Sequence, residues 1–382
     1  MRGSAGELQA LILVGGEGTR LRPLTSSLQK AVVPLVGRPF LSYMLGWLRR
    51  HGVDEAILSC EFLADGVRDV LGDGSEHGVR LHYLQEPHAL GTGGALKYAG
   101  ELLRDRFFML NGDQLTDLDL TAQLDQHERT GARATLALIA VDDPSSYGLV
   151  RRRDDLSVAG FLEKPNADEI DTNLVNAGAY VLERSVLDVI APAGIRSSIE
   201  RDVFPKLVDD GLYGYEASGY WMDIGTPHRY LQATYDILEG EVGTAVGDAL
   251  VAAGGVLWLG DAGDGPDRAG RAGVVHGPAV VGAGCEIAPG ATIAGRTVLG
   301  AGVAVGRGTH IDSSVVLDGA RIGARSRVSR SIVGPGAEIG DDCRVDGETV
   351  LGAGVKVGSH NVLRAGIRIF PGVELPNAAV AF

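Results

Sequence analysis

The chain has 382 residues, of which 45% are hydrophobic, and its 35 basic and 49 acidic side chains give a net charge of −14. This composition is that of a globular protein of two or three domains, and its acidic balance argues against a general nucleic-acid or anionic-membrane surface. No apolar run approaches the ~18 residues of a membrane span. The N-terminus lacks the apolar core of a signal peptide, and three cysteines without a CxxC motif argue against a disulfide framework or zinc site, so we expect a cytoplasmic protein.

Before residue 240, strand and helix signals alternate along the chain. The expected strands are 8–14, 55–60, 80–86, 107–113 and 134–141, and the expected helices are 39–51 and 95–103. This rhythm predicts a mostly parallel sheet covered by helices. Because ligands of such sheets bind at the carboxyl ends of strands, the loops after Val14, Leu84 and Leu110 are the candidate binding loops.

After residue 270 the chain repeats with a period of six residues. The recurring aliphatic residues are Val281, Ile287, Ile293, Val305, Ile311, Ile322, Val328, Ile339, Val345, Val357 and Leu363. Several are followed by glycine, and equivalent positions lie 17 or 18 residues apart, so three hexads make one coil. The pattern predicts a parallel β-helix with an aliphatic interior. We expect small residues at its corners, where a positive φ favours glycine.

The composition divides at the same place. Of 21 aromatic residues, 18 lie before residue 240, whereas 30 of the 56 glycines lie from Gly240 onward. Such a shift marks two domains of different architecture. We expect a first domain over 8–240, a Gly/Ala/Asp-rich linker over 241–270 and a β-helix domain over 271–375.

The loop after the first strand reads GGEGTRLRPLTSSLQKAVVP over 15–34. Gly15, Gly16 and Gly18 offer bare backbone N–H groups to phosphate oxygens, and Arg20 and Lys30 supply cations for a triphosphate. The loop lacks the third glycine of a dinucleotide fingerprint and the GK[ST] ending of a P-loop. It therefore indicates a phosphate site of another kind.

Further motifs follow in order: QEPHALGTGG at 85–94, NGD at 111–113, YG at 147–148, EKP at 163–165, NAG at 176–178 and WMDIGT at 221–226. Together with the first loop, this set resembles the sugar-1-phosphate nucleotidyltransferases, or nucleotide-sugar pyrophosphorylases. The resemblance spans 8–240 and 271–375. One departure is Gln29-Lys30-Ala31, where many members have Pro-Lys-Pro, which puts only the rigidity of that loop in doubt.

The resemblance implies a Rossmann-like α/β nucleotidyltransferase domain followed by a left-handed parallel β-helix of hexapeptide repeats. The implied nucleotide-binding positions are Leu13, Gly15, Gly16, Gly18, Thr19, Arg20, Lys30, Gln85, Gly91, Thr92 and Gly112. The implied sugar-phosphate positions are Gly148, Glu163, Lys164 and Asn176.

The expected catalytic residues are Arg20, Lys30, Asp113 and Asp223. Asp113 and Asp223 come from separate strands, and two such hard oxygen ligands suit a Mg²⁺ that bridges substrate phosphates. Lysine is rare in this chain, yet Lys30 and Lys164 occupy the phosphate-handling motifs. A compact ammonium on a flexible stem can follow phosphate oxygens, so we expect Lys30 on the triphosphate and Lys164 on the sugar phosphate.

The implied reaction joins a nucleoside triphosphate and a sugar 1-phosphate to give an NDP-sugar and pyrophosphate. The motifs look most like the guanylyltransferase branch, with GTP and mannose 1-phosphate. ATP, UTP, dTTP, and heptose or cyclitol phosphates remain open. We expect a homo-oligomer formed through the β-helix and neither nucleic-acid nor membrane partners.

Two alternatives remain. One is a non-catalytic regulatory homologue that binds nucleotide-sugar. The other is an additional acyltransferase activity, motivated by His276, His310 and His360 on or near β-helix turns. Arg151–Arg153 could edge a strand or form a regulatory anion site.

Overall fold

The computed structural model describes residues 8–26, 28–61, 64–260 and 272–381. The chain divides into two compact units: unit 1 comprises 1–16 and 41–221, and unit 2 comprises 17–40 and 222–382. Among the described residues, no helix is both long and apolar enough to cross a membrane. The expected domain boundaries of 8–240, 241–270 and 271–375 stay a prediction, and part of the linker lies outside the described residues.

Strands and helices are interleaved along the chain up to residue 258. The strands are β1 (Leu8–Leu13), β2 (Pro34–Leu35), β3 (Arg38–Pro39), β4 (Val53–Cys60), β5 (Arg80–Gln85), β6 (Arg106–Asn111), β7 (Gln114–Thr116), β8 (Ala134–Ala140), β9 (Gly148–Arg152), β10 (Val158–Glu163), β11 (Leu174–Glu183), β12 (Leu212–Glu216), β13 (Trp221–Asp223) and β14 (Val256–Trp258). The α-helices are α1 (Phe40–Arg50), α2 (Ala64–Leu71), α3 (Gly91–Tyr98), α4 (Leu120–Thr130), α5 (Phe204–Leu207), α6 (Pro227–Glu239) and α7 (Ala245–Ala252). Short 3-10 turns span Thr19–Leu21, Leu24–Ser26, Lys30–Val32, Ser75–His77, Ala99–Leu102, Ala167–Glu169 and Arg184–Val189, and a π-helical turn spans Ile199–Val203.

The remaining strands belong to the repeat region. They are β15 (Val274–Val275), β16 (Ala279–Val281), β17 (Glu286–Ile287), β18 (Thr292–Ala294), β19 (Thr297–Leu299), β20 (Ala304–Val305), β21 (His310–Asp312), β22 (Val315–Val316), β23 (Arg321–Ile322), β24 (Arg327–Ser329), β25 (Ile332–Val333), β26 (Glu338–Ile339), β27 (Arg344–Val345), β28 (Val350–Leu351), β29 (Lys356–Val357), β30 (Val362–Leu363), β31 (Arg368–Ile369) and β32 (Glu374–Leu375).

Unit 1 is built on a nine-stranded sheet in the order β10-β9-β11-β6-β1-β4-β5, with β8 paired to β11 and β12. Strands β6, β1, β4 and β5 are parallel neighbours, as the sequence predicts, whereas β11 runs antiparallel to β6 and β8. The predicted Rossmann-like α/β fold is confirmed. Because β6, β1, β4 and β5 are parallel, their carboxyl ends share one edge of the sheet, where β1, β5 and β6 lead into the predicted loops.

The core of unit 1 explains why these segments become strands. Leu11, Met109 and Tyr180 are fully buried on the central strands, and burying such side chains is worth about 1.5–3 kcal/mol each. The Tyr180 ring meets Phe204 of α5 edge-on, with 5.1 Å between centroids. The apolar residues of these strands are thus buried in the core. Polar residues that could bind a ligand therefore lie at the strand ends.

The repeat region of unit 2 forms three parallel sheets of seven, six and six strands. Each strand pairs with the equivalent strand one coil later, as in Ile311 with Val328 and Val328 with Val345. These aliphatic side chains are fully buried and form one continuous core. The prediction of a β-helix is confirmed, and the arrangement is consistent with the left-handed form.

The glycines that follow the aliphatic residues were expected to adopt a positive φ at the coil corners, and this expectation is wrong. Gly306, Gly323 and Gly340 are absent from the positive-φ positions. A Cβ on Gly323 would instead lie 2.4 Å from the carbonyl carbon of Gly340 on the next coil. The positive φ angles lie three residues before the aliphatic, at Gly302 and Gly319 for example. Glycine after the aliphatic is required by close approach between coils, not by backbone conformation.

Part of the expected linker has regular structure. Helix α7 is capped by Thr244, whose hydroxyl accepts a hydrogen bond from the amide of Gly247. The apolar segment expected near Val256–Leu259 forms β14, which pairs with β16 of the first coil. Residues 261–270 lie outside the described residues. The first sheet of the β-helix therefore begins at Val256, inside the segment assigned to the linker.

The glycine argument predicts the effect of a single methyl group. Gly323→Ala should lower the free energy of unfolding of the β-helix by about 1–3 kcal/mol, because the neighbouring coil must move away. Gly295→Ala is the matched control, since a Cβ there would meet nothing within 4 Å. Urea denaturation followed by circular dichroism gives both values. Equal midpoints for the two variants would contradict the close-approach explanation.

Candidate functional site

The first part of the predicted phosphate loop lies in unit 1, directly after β1. Leu13 ends the strand, and its carbonyl accepts a hydrogen bond of 2.9 Å from the amide of Gly112. A Cβ on Gly112 would lie 2.7 Å from that same oxygen. Gly15 and Gly16 follow and are exposed, and Gly16 has a φ of 105°. The predicted positions Leu13 and Gly112 are thus in direct contact, while the two loop glycines present open backbone.

The rest of the loop lies in unit 2 and is folded into short turns. Gly18 has a φ of 57°, and its carbonyl accepts hydrogen bonds from the Leu21 amide (2.9 Å) and the Thr25 hydroxyl (2.7 Å). The 3-10 turn Thr19–Leu21 leaves the Thr19 and Arg20 side chains exposed, and Lys30 begins another 3-10 turn half-buried. Local hydrogen bonds therefore fix the backbone while the Arg20 side chain stays exposed.

The predicted base loop leaves β5 at Gln85, which is exposed. Next to it, Glu86 is buried and accepts hydrogen bonds from the Ser59 hydroxyl (2.8 Å) and the Leu90 amide (3.2 Å). Sequence reasoning missed Glu86. The signal was present in the sequence, since Glu86 is a carboxylate inside the QEPHALGTGG motif, where it suggests an acceptor that closes the loop.

The start of α3 is hydrogen-bonded to the segment around Ser197. The Ser197 carbonyl accepts from the amides of Gly93 (2.9 Å) and Gly94 (3.1 Å). Gly91 has a φ of 71°, and a Cβ on it would lie 2.6 Å from the Ser197 carbonyl oxygen. Only glycine admits this approach, which accounts for the Gly-rich motif without invoking a ligand.

Thr92 connects the same loop to a second acidic residue that the sequence analysis missed. Its hydroxyl donates to Glu200 Oε2 (2.7 Å) and accepts from the Ile199 amide (2.9 Å). The Ser198 hydroxyl also donates to Glu200 Oε2 (2.6 Å). The predicted nucleotide-binding residue Thr92 is therefore engaged with protein groups on its hydroxyl.

The predicted sugar residues Gly148 and Glu163 face each other across β9 and β10, where the two are paired. A Cβ on Gly148 would lie 2.9 Å from Glu163 Oε2. Burial, and secondarily the negative charge of Glu200, raise the pKa of Glu163 above its ordinary value. Lys164 follows with a φ of 54° and an exposed side chain, and its amide donates to the Tyr147 carbonyl (3.1 Å).

Asn176 lies in β11 where the pairing with β8 is interrupted. Its Nδ2 donates to the Tyr180 hydroxyl (2.8 Å), and its Oδ1 accepts from the Gly178 amide (3.0 Å). The nearby Trp221 donates its ring N–H to the Ala177 carbonyl (2.8 Å) and meets Tyr147 edge-on at 5.3 Å. An aromatic pair thus lies beside the predicted sugar residues of unit 1.

The two predicted metal ligands belong to different units. Asp113 of unit 1 is half-buried in the turn between β6 and β7. In unit 2, Asp223 Oδ2 pairs with Arg229 Nη1 at 2.8 Å. Within the part of the chain that the structure describes, Asp223 Oδ1 is buried and accepts no hydrogen bond.

An acceptor without a donor is costly when buried, so the environment of Asp223 fits a cation. A Cβ on Gly225 would lie 2.8 Å from Asp223 Oδ1 and 2.9 Å from Arg20 Nη2. The structure thus brings Arg20 and Asp223, both of unit 2, close to the same point beside Gly225. Over the described ranges, no group of three or more His, Cys, Asp or Glu could hold a metal by itself. Arg229 was not predicted, and no sequence signal identified it.

The arginine run is used in ion pairs. Arg151 pairs with Asp171 (2.8 Å), Arg152 with Glu216 (2.7 Å) and Arg153 with Asp209 (2.9 Å). These contacts match the strand-edge interpretation, and the regulatory anion site stays a prediction. On the β-helix, His310 lies 3.4 Å from Asp312, which is an ordinary surface pairing.

Comparison with known proteins gives the same assignment for the nucleotidyltransferase region and for the β-helix. Residues 9–240 match the family model described as nucleotidyl transferase. Residues 275–379 match the model described as GMPPB C-terminal domain. The two matches correspond to the nucleotidyltransferase region and to the β-helix.

Individual relatives agree with the family models. The mannose-1-phosphate guanylyltransferase of Mycobacterium tuberculosis is 38% identical over 83% of this chain and 82% of its own. The UTP–glucose-1-phosphate uridylyltransferase of Synechocystis is 32% identical over 84% of this chain and 86% of its own. The crystal structure of HddC from Yersinia pseudotuberculosis, also solved complexed with GMP-PN, superposes with a TM-score of 0.52 at 29% identity and covers 59% of this chain and 97% of that one. The chain therefore belongs to the nucleotidyl transferase family, among the sugar-1-phosphate nucleotidyltransferases.

Proposed function

We propose that this enzyme joins GTP and mannose 1-phosphate to give GDP-mannose and pyrophosphate. The observation that carries the proposal is 38% identity to a mannose-1-phosphate guanylyltransferase over most of both chains. The match of 275–379 to the GMPPB C-terminal model supports the same branch. The uridylyltransferase relative makes UTP with glucose 1-phosphate the second candidate, and ATP and dTTP are tested beside them.

In the proposed reaction, an oxygen of the sugar 1-phosphate attacks the α-phosphorus of the nucleoside triphosphate. A new phosphorus–oxygen bond forms as the bond to the β-phosphate breaks, and pyrophosphate leaves in line. Positioning and charge neutralisation are the main tasks of the protein in such a transfer. No covalent intermediate on the enzyme is required.

Most of the predicted site residues have a task in this proposal. Backbone N–H groups of the glycine loop, with Arg20 and Lys30, bind the triphosphate and stabilise the departing pyrophosphate. Gln85, beside the Gly-rich start of α3, reads the base. The remaining residues, Gly148, Glu163, Lys164 and Asn176, bind the sugar phosphate. The exposed side chains of Arg20 and Lys164 support these roles.

We propose that Asp113 and Asp223 hold Mg²⁺, as hard oxygen ligands do. The buried, unpartnered Oδ1 of Asp223 supports this role among the described residues. When bound, the ion supplies positive charge to the phosphate oxygens. Arg229 occupies the other oxygen of Asp223 and holds the carboxylate in one orientation.

The presence of the expected residues supports catalysis over a purely regulatory, non-catalytic role. Such a homologue would tolerate loss of Arg20, Lys30 or either aspartate, and all four are present. We further propose a cytoplasmic homo-oligomer that assembles through the β-helix. One sheet of the β-helix supports this proposal, since it presents an exposed row of alternating charge to a second copy. The row consists of Arg321, Glu338 and Lys356.

The metal assignment predicts that Asp113→Asn and Asp223→Asn lose turnover by about 10²-fold or more, since each removes a charge from the reaction centre. Pyrophosphate release with GTP and mannose 1-phosphate measures the loss. Asp125→Asn, an exposed position in α4, is the control and should retain full activity. Near-normal turnover in both site variants, with the fold intact by circular dichroism, would refute the assignment.

The substrate assignment predicts the outcome of a panel of four triphosphates against mannose, glucose, heptose and cyclitol 1-phosphates. GTP with mannose 1-phosphate should give the highest kcat/KM. A maximum with UTP and glucose 1-phosphate would overturn the base and sugar but keep the reaction class. Absence of pyrophosphate release in every combination would refute catalysis.

The raised pKa of Glu163 predicts a pH effect on sugar binding. As the pH falls through this raised pKa, the carboxylate is protonated and loses its acceptor strength, so the KM for mannose 1-phosphate should rise. The rise should begin above the pH expected for an ordinary glutamate, whose pKa is 4.5.

Glu163→Gln should have a higher KM for mannose 1-phosphate than the unsubstituted enzyme. Its KM should no longer rise with protonation of residue 163, so the only remaining pH dependence comes from titration of the substrate phosphate. Parallel KM–pH profiles for the enzyme and the variant would show that Glu163 does not contact the sugar.

A further inference from the structure

One face of the β-helix carries an outward row of side chains that ends in an arginine. Successive pairings align Val280, Val298, Val315, Ile332, Val350 and Arg368. The first five are at most 2% exposed, although they point away from the coil interior filled by their neighbours Val281 and Leu299. The corresponding rows of the other two sheets carry exposed charges such as Arg327 and Lys356. The apolar row is therefore the covered face of the β-helix.

Helix α6, which follows Asp223 in the chain, is attached to the corners beside this face. The Tyr235 hydroxyl donates to the Ser313 carbonyl (2.5 Å), and the Arg296 guanidinium lies 4.8 Å from the Tyr235 ring centroid. His228 Nδ1 lies 2.7 Å from Glu348 Oε1. Arg296, Ser313 and Glu348 precede strands of the same sheet on different coils. The coil spacing thus sets where α6 lies within unit 2.

Arg368 extends the row to the phosphate loop. Its Nη1 donates to the carbonyls of Arg20 (3.1 Å) and Arg22 (3.4 Å). Arg20 lies in the 3-10 turn Thr19–Leu21, and Arg22 is its C-cap residue. Carbonyls at the end of a helical turn lack intrahelical donors, and a cation there is favourable. One guanidinium therefore caps the turn that carries Arg20.

We infer that Arg368 is a positioning residue for the nucleoside triphosphate, acting from the β-helix through the backbone of the phosphate loop. By holding the carbonyls of Arg20 and Arg22, it fixes the turn that aims the Arg20 side chain toward Gly225. The inference rests on the proposed function, because it assigns to the β-helix a part in nucleotide binding. Arg368 itself does not contact the reacting atoms.

The test compares three variants of the full-length enzyme in the pyrophosphate-release assay. Arg368→Ala should lower kcat/KM for GTP about tenfold to a hundredfold, mainly through KM, because a loosened loop misplaces Arg20. The KM for mannose 1-phosphate should not change. Arg368→Lys retains a donor for the two carbonyls and should recover most of the loss.

Arg364→Ala is the matched control. Arg364 lies four residues earlier, is exposed, and pairs with Asp346 at 3.7 Å, so its removal should leave both KM values unchanged. An Arg368→Ala variant with an unchanged KM for GTP, or with equal rises in both substrate KM values, would overturn the inference.

Hydrogen exchange separates the local effect from general destabilisation. In Arg368→Ala, the amides of residues 18–22 should exchange faster while those of Ile322 and Val328 on the inner coils keep their rates. Faster exchange throughout the coils would assign Arg368 a merely structural role. If the unsubstituted enzyme releases no pyrophosphate, the proposed function fails; if it is active and the variants match it, only this inference fails.

Discussion

The close approach of one backbone to another is the constraint on which both units depend. In unit 1, Gly112 donates to the carbonyl of Leu13 at the end of the central strand, and Gly93 and Gly94 donate to Ser197. In unit 2, Gly323 lies against the next coil at a distance that no side chain permits. Interiors are close-packed, so an added methyl group cannot be absorbed locally. Part of the unusual glycine content records these contacts, and another part supplies positive φ angles, as at Gly302 and Gly319. Both uses occur in the binding loops and in the β-helix.

The electrostatics of the predicted site differ from those of the whole chain. The molecule is strongly acidic, yet the groups proposed to bind its anionic substrates are backbone N–H groups and a few cations. Two carboxylates of the site have specific environments: Asp223 is held by Arg229, and the pKa of Glu163 is raised by burial and by Glu200. Local structure, rather than net charge, therefore decides which ions these surfaces accept. An acidic protein can bind polyanions when burial and hydrogen bonds arrange a small number of donors.

Sequence patterns predicted the elements better than the contacts between them. The helix expected over 39–51 is observed at Phe40–Arg50, and the six-residue period correctly gave the β-helix. The glycine that follows several of the aliphatic residues was predicted for a wrong reason, because periodicity does not show the distance between coils. Glu200 and Arg368 were missed because their partners lie far away in the chain: Thr92 is 108 residues from Glu200, and Arg20 is 348 residues from Arg368. A single sequence contains no local signal for such pairings.

The row that ends at Arg368 has a consequence for the evolution and engineering of this family. Neighbouring strands in a sheet are separated by about 4.8 Å, so each coil added or removed shifts everything beyond it by that step. Changes at a corner alter one turn, whereas loss of a whole coil displaces the last arginine from the carbonyls of Arg20 and Arg22. The number of coils is then constrained by the position that Arg368 must occupy next to the phosphate loop, in addition to stability. On this inference, insertions at the corners of the exposed faces should leave Arg368 in place, whereas removal of a coil between the α6 contacts and Arg368 should break its contact with the loop.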